Sequence, residues 1–296
     1  MRGAGARPVP RFEDQPIGAT LDPVSATQEL GSTGPAVRHG VRPTAIPRWL
    51  RAGLADFLRV PGPSLVVGAL CTLAGWLLVG VAVWTDYALL VLPLVAGFMF
   101  AAPLLAIGLY EASRRHEAGG VAEFGMARAA WRFNRGGIAF MAALLMMFLY
   151  GWLRVATMLY ALYFGLEYPP LENLLASAFS REHLIFGLTG TAIGAVLASI
   201  VFGLSAFSLP MLIDRKVDAV TAAATSMRAC CANPVTAALW AATIVAITAV
   251  AAAPIFLGLV VALPVIGHAT WHAYRDMVVP DSPVEHAHGE VHRTPA

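Results

Sequence analysis

From Ser64 to Trp84 the chain carries no charged side chain, and the same holds from Ala88 to Tyr110, from Leu184 to Ile213 and from Val235 to Trp271. A helix of about 20 apolar residues crosses the roughly 30 Å of hydrocarbon in a bilayer. Runs of this length therefore point to an all-α membrane protein. Composition agrees: 58% of residues are hydrophobic and 13% charged, against roughly 25% charged in a soluble domain.

The runs predict six spans at about 64–84, 88–110, 138–164, 184–213, 235–252 and 254–274. The last two share one apolar stretch, with a tight turn expected at Ala251-Ala252-Ala253-Pro254. Charge placement decides the count. With six spans, all of the 20 basic residues except Arg154 and Arg181 fall on one side. Basic loops stay in the cytoplasm, so both termini are expected there.

Residues 1–43, rich in Gly, Pro, Ala and Arg, read as a disordered tail, and 279–296 as another. Over 44–60, Ile46, Trp49, Leu50, Leu54, Phe57 and Leu58 recur on one helical face, with Arg48, Arg51, Asp56 and Arg59 on the other. An amphipathic helix of this kind lies in an anionic interface, so Arg48, Arg51 and Arg59 are candidate contacts to lipid headgroups. A Pro/Gly/Asn break follows at Pro61-Gly62. Similar breaks stand at Asn134-Arg135-Gly136-Gly137 and Asn233-Pro234, each before a pair of spans. Pro103, Pro210 and Pro264 stand near the end of each pair. The chain thus reads as three tandem hairpins with interfacial preludes.

Asp56–Ser64, Gly108–Glu111, Leu209–Asp214 and above all Leu263-Pro264-Val265-Ile266-Gly267-His268-Ala269-Thr270-Trp271-His272-Ala273-Tyr274-Arg275 resemble a bacterial family of integral membrane proteins, domain of unknown function 2189. The similarity covers roughly residues 44–278. It implies a six-span protein of the bacterial inner membrane without an established activity. Some members carry the label of a cytochrome c oxidase subunit. An oxidase core needs histidines on several spans, whereas here the two beside a span, His268 and His272, share the last one.

His268 and His272 stand four residues apart on one face, a spacing at which two imidazoles can share a metal. Glu111 and Asp214 end spans 2 and 4 on the same side. The four form a candidate cluster if the hairpins converge, for a divalent metal or, in a redox setting, haem. The competing reading makes the histidines interfacial residues beside Trp271 and Tyr274, with no cofactor. Arg154, inside span 3, is either a functional intramembrane charge or a side chain snorkelling toward Glu167 or Asp86. Gly190 and Gly194 suggest close helix packing. The histidines of 286–292 fit a solubilising tail or weak metal capture. Cys71, Cys230 and Cys231 follow no framework spacing and read as thiols. No nucleophile elbow, phosphate loop or zinc-protease motif occurs. The expected partners are membrane lipids with anionic headgroups, with a homo-oligomer or membrane complex also in view, and no nucleic acid. The function is expected to be non-enzymatic: lipid or small-molecule transport, or membrane assembly. The alternative is a metal- or haem-associated redox component using His268 and His272.

Overall fold

The computed structural model describes residues 34–84, 91–120, 125–165 and 184–280. Among these residues stand eleven α-helices and one isolated antiparallel bridge, Val37 with Val278. The helices form three runs. The first is α1 (Ile46–Arg59), α2 (Pro61–Trp84), α3 (Val91–Leu105) and α4 (Ile107–Glu117). The second is α5 (Met126–Phe133), α6 (Arg135–Phe164), α7 (Leu184–Ser205) and α8 (Ser208–Asp214). The third is α9 (Ala219–Ala232), α10 (Pro234–Ala252) and α11 (Leu259–Met277).

Each run opens with a prelude helix, one non-helical residue, then a long apolar helix. The three joints share one backbone conformation: φ −130°, ψ 61° at Val60; −143°, 65° at Asn134; −135°, 56° at Asn233. Pro61 and Pro234 then start the next helix, where a missing N–H costs nothing. The Asn134 side chain accepts from the Gly137 amide at 3.1 Å, an N-cap bond that fixes the start of α6. The prolines expected at hairpin ends are not equivalent. Pro103 and Pro264 lie inside helices, while Pro210 sits in the first turn of α8, after a break at Ala206 and Phe207.

Packing follows a cyclic rule. Prelude α5 lies on α4, and α9 lies on α7 and α8, so each rests on the closing helices of the run before it. Prelude α1 lies on α11, the closing helix of the last run. The long helices run antiparallel to their neighbours. Thr72 Oγ1 donates to the Phe256 carbonyl at 3.2 Å and Trp76 Nε1 to the Ile255 carbonyl at 2.7 Å, while Ser64 and Gly68, earlier on the same helix, meet His268 and Val260. Position thus advances on one partner as it recedes on α11. Trp152 Nε1 donates to the Pro93 carbonyl at 2.9 Å while Gly97 meets Leu149, so α3 opposes α6. Gly194 meets Trp152 and Phe186 packs edge-on against Phe164, so α7 opposes α6 as well. Of the expected glycine pair, Gly194 makes a close contact and Gly190 faces open space.

Burial is uneven. Only 22%, 17% and 17% of the apolar windows of α2, α6 and α10 are buried. Their outer faces carry Leu70, Leu73, Leu77, Met147, Met158, Leu162, Val245 and Val250. A surface of that size is stable in hydrocarbon and a liability in water. Among the described residues, four helical stretches, 61–81, 135–164, 184–214 and 234–252, are long and apolar enough to cross a membrane. The dense core lies where preludes meet closing helices, around Trp49, Ile107, Phe207, Leu212, Trp240, Trp271 and Tyr274.

Three expectations change. The tail expected over 1–43 does not extend through residues 34–43. Arg38 N donates to the Met277 carbonyl and Val279 N to the Ala36 carbonyl, both at 2.9 Å, while Asn233 binds Val41 N and the Arg38 carbonyl. These bonds lace an N-terminal strap to the α9–α10 joint and to the end of α11. The turn between α10 and α11 lies at 253–258, slightly later than expected, with Ile255 (φ 53°) and Phe256 (φ 63°) in the left-handed region. The bonds from Thr72 and Trp76 to exactly these two carbonyls hold it there. Finally, Asp56 is 4% exposed, whereas Leu54 and Leu58 face outward at 44% and 65%. Helix α1 therefore has three faces: Trp49, Gly53 and Phe57 against the core, Leu54 and Leu58 outward, and Arg48, Ala52, Asp56 and Arg59 between them.

At Gly68 an added Cβ would collide with the backbone of Val260, whereas at Gly80 it would meet nothing within 4 Å. Backbone cannot swing aside as a side chain can. Gly68→Ala is expected to destabilise the detergent-solubilised protein by about 1–3 kcal/mol, read from denaturant unfolding, and Gly80→Ala to leave it unchanged or slightly more stable.

Candidate functional site: a charged seam between α1, α4 and α11

Where α1, α4 and α11 meet, a buried carboxylate gathers histidines from two other helices. His272 Nε2 lies 2.9 Å from Asp56 Oδ2, and His116 Nδ1 lies 3.3 Å from Asp56 Oδ1. Each imidazole donates to a separate oxygen of one acceptor. Arg59 stands 3.6 Å from Oδ1 at the exposed rim. Burial on its own would raise the Asp56 carboxyl. The hydrogen bonds from His272 and Ser113 and the nearby imidazole charge outweigh it and hold the group below its ordinary value of 3.8.

Ser113 continues the network inward. Its Oγ lies 2.8 Å from His268 Nδ1, and Ser64 Oγ lies 3.0 Å from His268 Nε2. With the Ser113 proton given to Asp56, Nδ1–H of His268 donates to Ser113 and Nε2 accepts from Ser64. One neutral tautomer thus satisfies every partner. His268, Ser64 and Ser113 are all fully buried.

A second cluster lies beside the first. Tyr274 OH donates to Asp214 Oδ2 at 2.7 Å, and Arg275 Nη1 approaches the same oxygen at 3.3 Å. Arg275 also donates to Glu117 Oε1 at 2.9 Å, and Trp271 Nε1 to Glu117 Oε2 at 3.0 Å. Glu111 is 3% exposed and accepts from Arg114 at 2.8 Å and Arg115 at 2.7 Å. Burial would raise its carboxyl, and the two guanidiniums pull it below its ordinary value instead. Asp276 takes hydrogen bonds from Arg48 and from Trp49 Nε1.

The expected set Glu111, Asp214, His268 and His272 is therefore divided among three groups. The closing helices do meet: α11 packs on both α4 and α8, and α8 on α4. Asp214, however, joins α11 through Tyr274 and Arg275, and Glu111 turns to arginines on its own helix. Neither reaches a histidine, and the two histidines engage different partners. Among the described residues, no group of three or more His, Cys, Asp or Glu is arranged to hold a metal ion. Arg154 is exposed on α6; its suggested partners Glu167 and Asp86, like the histidines of 286–292, lie outside the described residues. Cys71, Cys230 and Cys231 are free thiols, with burial pushing Cys230 up to about 12.

Sequence reasoning missed Asp56, Ser64, Ser113, His116 and Glu117. One signal was present. Four residues before the three joints stand Asp56, Ala130 and Ala229, all buried. The repeat itself marks the carboxylate as the exception.

Outward-facing apolar helices with a charged cap at one end define a helical integral membrane protein. Over residues 90–214 the chain matches the DUF2189 family, described as a predicted integral membrane protein. That segment contains Gly108–Glu111 and Leu209–Asp214, while Asp56 and all of α11 lie outside it. No curated protein and no solved structure matches the chain.

Asp56→Asn leaves two half-buried imidazoles facing a weaker acceptor and is expected to cost about 1–3 kcal/mol at neutral pH. A carboxylate with a depressed folded pKa contributes stability above its unfolded value, and that contribution fades as pH falls through the folded one. The gap between wild type and variant should therefore close below about pH 4, as measured by unfolding across a pH series.

Proposed function

We propose that the chain is a six-span, non-enzymatic protein of a bacterial inner membrane, both termini cytoplasmic. Its interfacial helices hold anionic headgroups in the service of lipid or small-molecule transport or membrane assembly. The observation that carries this is the outward face of the preludes. Arg51 lies beside exposed Leu54 and Leu58 on α1, and Arg128 and Arg132 beside exposed Trp131 and Phe133 on α5. Cations and apolar side chains on one exposed surface suit the boundary between headgroups and acyl chains. Arg48 and Arg59, also expected at headgroups, have carboxylate partners in Asp276 and Asp56.

The antiparallel neighbours support six spans. Helix α3 is described only from Val91, and α11 trades apolar residues for His268, Thr270, His272 and Arg275 in its second half. Both nevertheless run opposite to long apolar helices. The redox alternative has less support. Both ring nitrogens of His268 are engaged by serines and Nε2 of His272 by Asp56, so a metal or haem would have to displace these partners.

An arginine near a membrane surface contributes about 1 kcal/mol of attraction to anionic lipid. Replacing Arg51, Arg128 and Arg132 together by Gln is expected to lower phosphatidylglycerol enrichment around the full-length protein at least about tenfold, read by lipid analysis of nanodiscs. Unchanged enrichment would sink the reading. A C-terminal reporter active only outside the cytoplasm would refute the even span count.

A further inference from the structure

The seam that closes the cycle differs from its two sisters. Where α5 meets α4 and where α9 meets α7 and α8, the position four residues before the joint is a buried alanine; where α1 meets α11 it is Asp56. The same joint forms without a carboxylate twice in this chain, so the fold does not require one. A buried charge costs several kcal/mol to desolvate, which makes its presence at one seam alone a mark of function.

Asp56 lies in the wall of a cleft of about 330 Å³ between α1, α4 and α11. Three arginines line it, Arg48, Arg59 and Arg275, with three carboxylates, Asp56, Glu117 and Asp276. Those fixed charges balance, with the histidines His116 and His272 also in the lining. A cleft selecting a net anion would carry surplus cations, and one selecting a cation surplus carboxylates. Equal numbers set side by side match a ligand that carries both signs a few bonds apart. The cleft face of α1 adjoins its outward face, where Leu54 and Leu58 mark the depth of the acyl chains. The ligand is thus met at headgroup level.

We propose that this cleft binds the headgroup of a zwitterionic lipid bearing a phosphate and a primary ammonium, of the phosphatidylethanolamine kind. The phosphate exchanges into the guanidinium positions at the rim, where Arg59 is 64% and Arg48 69% exposed. The ammonium donates to Glu117 and Asp276. A primary ammonium has hydrogens to give to these carboxylates, and a quaternary choline has none. His116 and His272 keep Asp56 turned toward the cleft. The proposal rests on the interfacial placement of α1 given above, and it adds a headgroup class that the arginine-bearing outer face does not select.

The test uses the full-length protein in nanodiscs of phosphatidylcholine doped with equal amounts of phosphatidylethanolamine and phosphatidylglycerol, with retained lipids read by native mass spectrometry. Phosphatidylethanolamine is expected to be retained about tenfold over phosphatidylcholine, the scale of one charge-assisted hydrogen bond. Arg59→Gln and Glu117→Gln, both at the rim, should each remove most of that preference, and Arg51→Gln, on the other face of α1, should not. Asp56→Asn should remove it too, and the rim variants keep the result readable if that one fails to fold. Equal retention of phosphatidylethanolamine and phosphatidylcholine overturns the proposal. So does preferential retention of phosphatidylglycerol in the cleft, scored as retention lost in Arg59→Gln. Binding of free phosphoethanolamine without any lipid preference overturns the lipid as ligand. If phosphatidylglycerol enrichment still depends on Arg51, Arg128 and Arg132, the interfacial reading survives any of these failures.

Discussion

Gly53 and Gly68 let the backbone of the first run approach the backbone of the last. At Gly53 even a methyl group would come within 2.6 Å of the Ala269 amide nitrogen. Membrane helices gain little from expelling water, so close approach supplies most of their attraction, and small residues permit it. Much else depends on this contact. It brings Asp56 within reach of His272, places Ser64 beside His268, and seats Trp49 edge-on to Trp240 at 5.6 Å. It also lets Thr72 and Trp76 grip the turn at Ile255 and Phe256. A left-handed β-branched residue costs roughly 1–2 kcal/mol, and two side-chain hydrogen bonds are of a size to offset it.

The cyclic packing explains how a chain with few charges builds a charged cap. Each prelude must cover the closing helix of a neighbouring run, so polar residues at helix ends come together from segments distant in sequence. Asp56 and His272 are one example; Arg275, Asp214 and Glu117 are another. The carboxylates Asp56 and Glu111 stay ionised below their usual range because donors surround them, although burial opposes it. The apolar outer faces of α2, α6 and α10 ask only for hydrocarbon.

Much of this was legible in the sequence. Long apolar runs announced the long helices, and Pro/Gly/Asn breaks announced all three joints, because a missing N–H and a preference for non-helical φ,ψ are local properties. The histidines were visible as candidates. Their partners were not, since hydrogen bonds from Ser64, Ser113 and Asp56 depend on which helix α11 lies against. Asp56 was misplaced for a related reason: a two-faced helical wheel has no place for the intermediate face that a cleft creates. The expected grouping with Glu111 and Asp214 rested on convergence of the closing helices. That convergence is present, but Arg114, Arg115, Tyr274 and Arg275 reach those carboxylates first.

The strap that pairs Ala36 and Arg38 with Met277 and Val279 has a topological consequence. It sets the two ends of the described domain side by side, at the seam where the last run meets the first. Every prelude rests on the run before it in the cycle, so chain order enters the architecture only through which connection is left open. A circular permutant, joined across the strap and opened in the segment between α4 and α5, would present the same three seams. It would also begin and end on the same side of the bundle. What distinguishes the natural opening is chemical: it falls beside the one seam that carries Asp56.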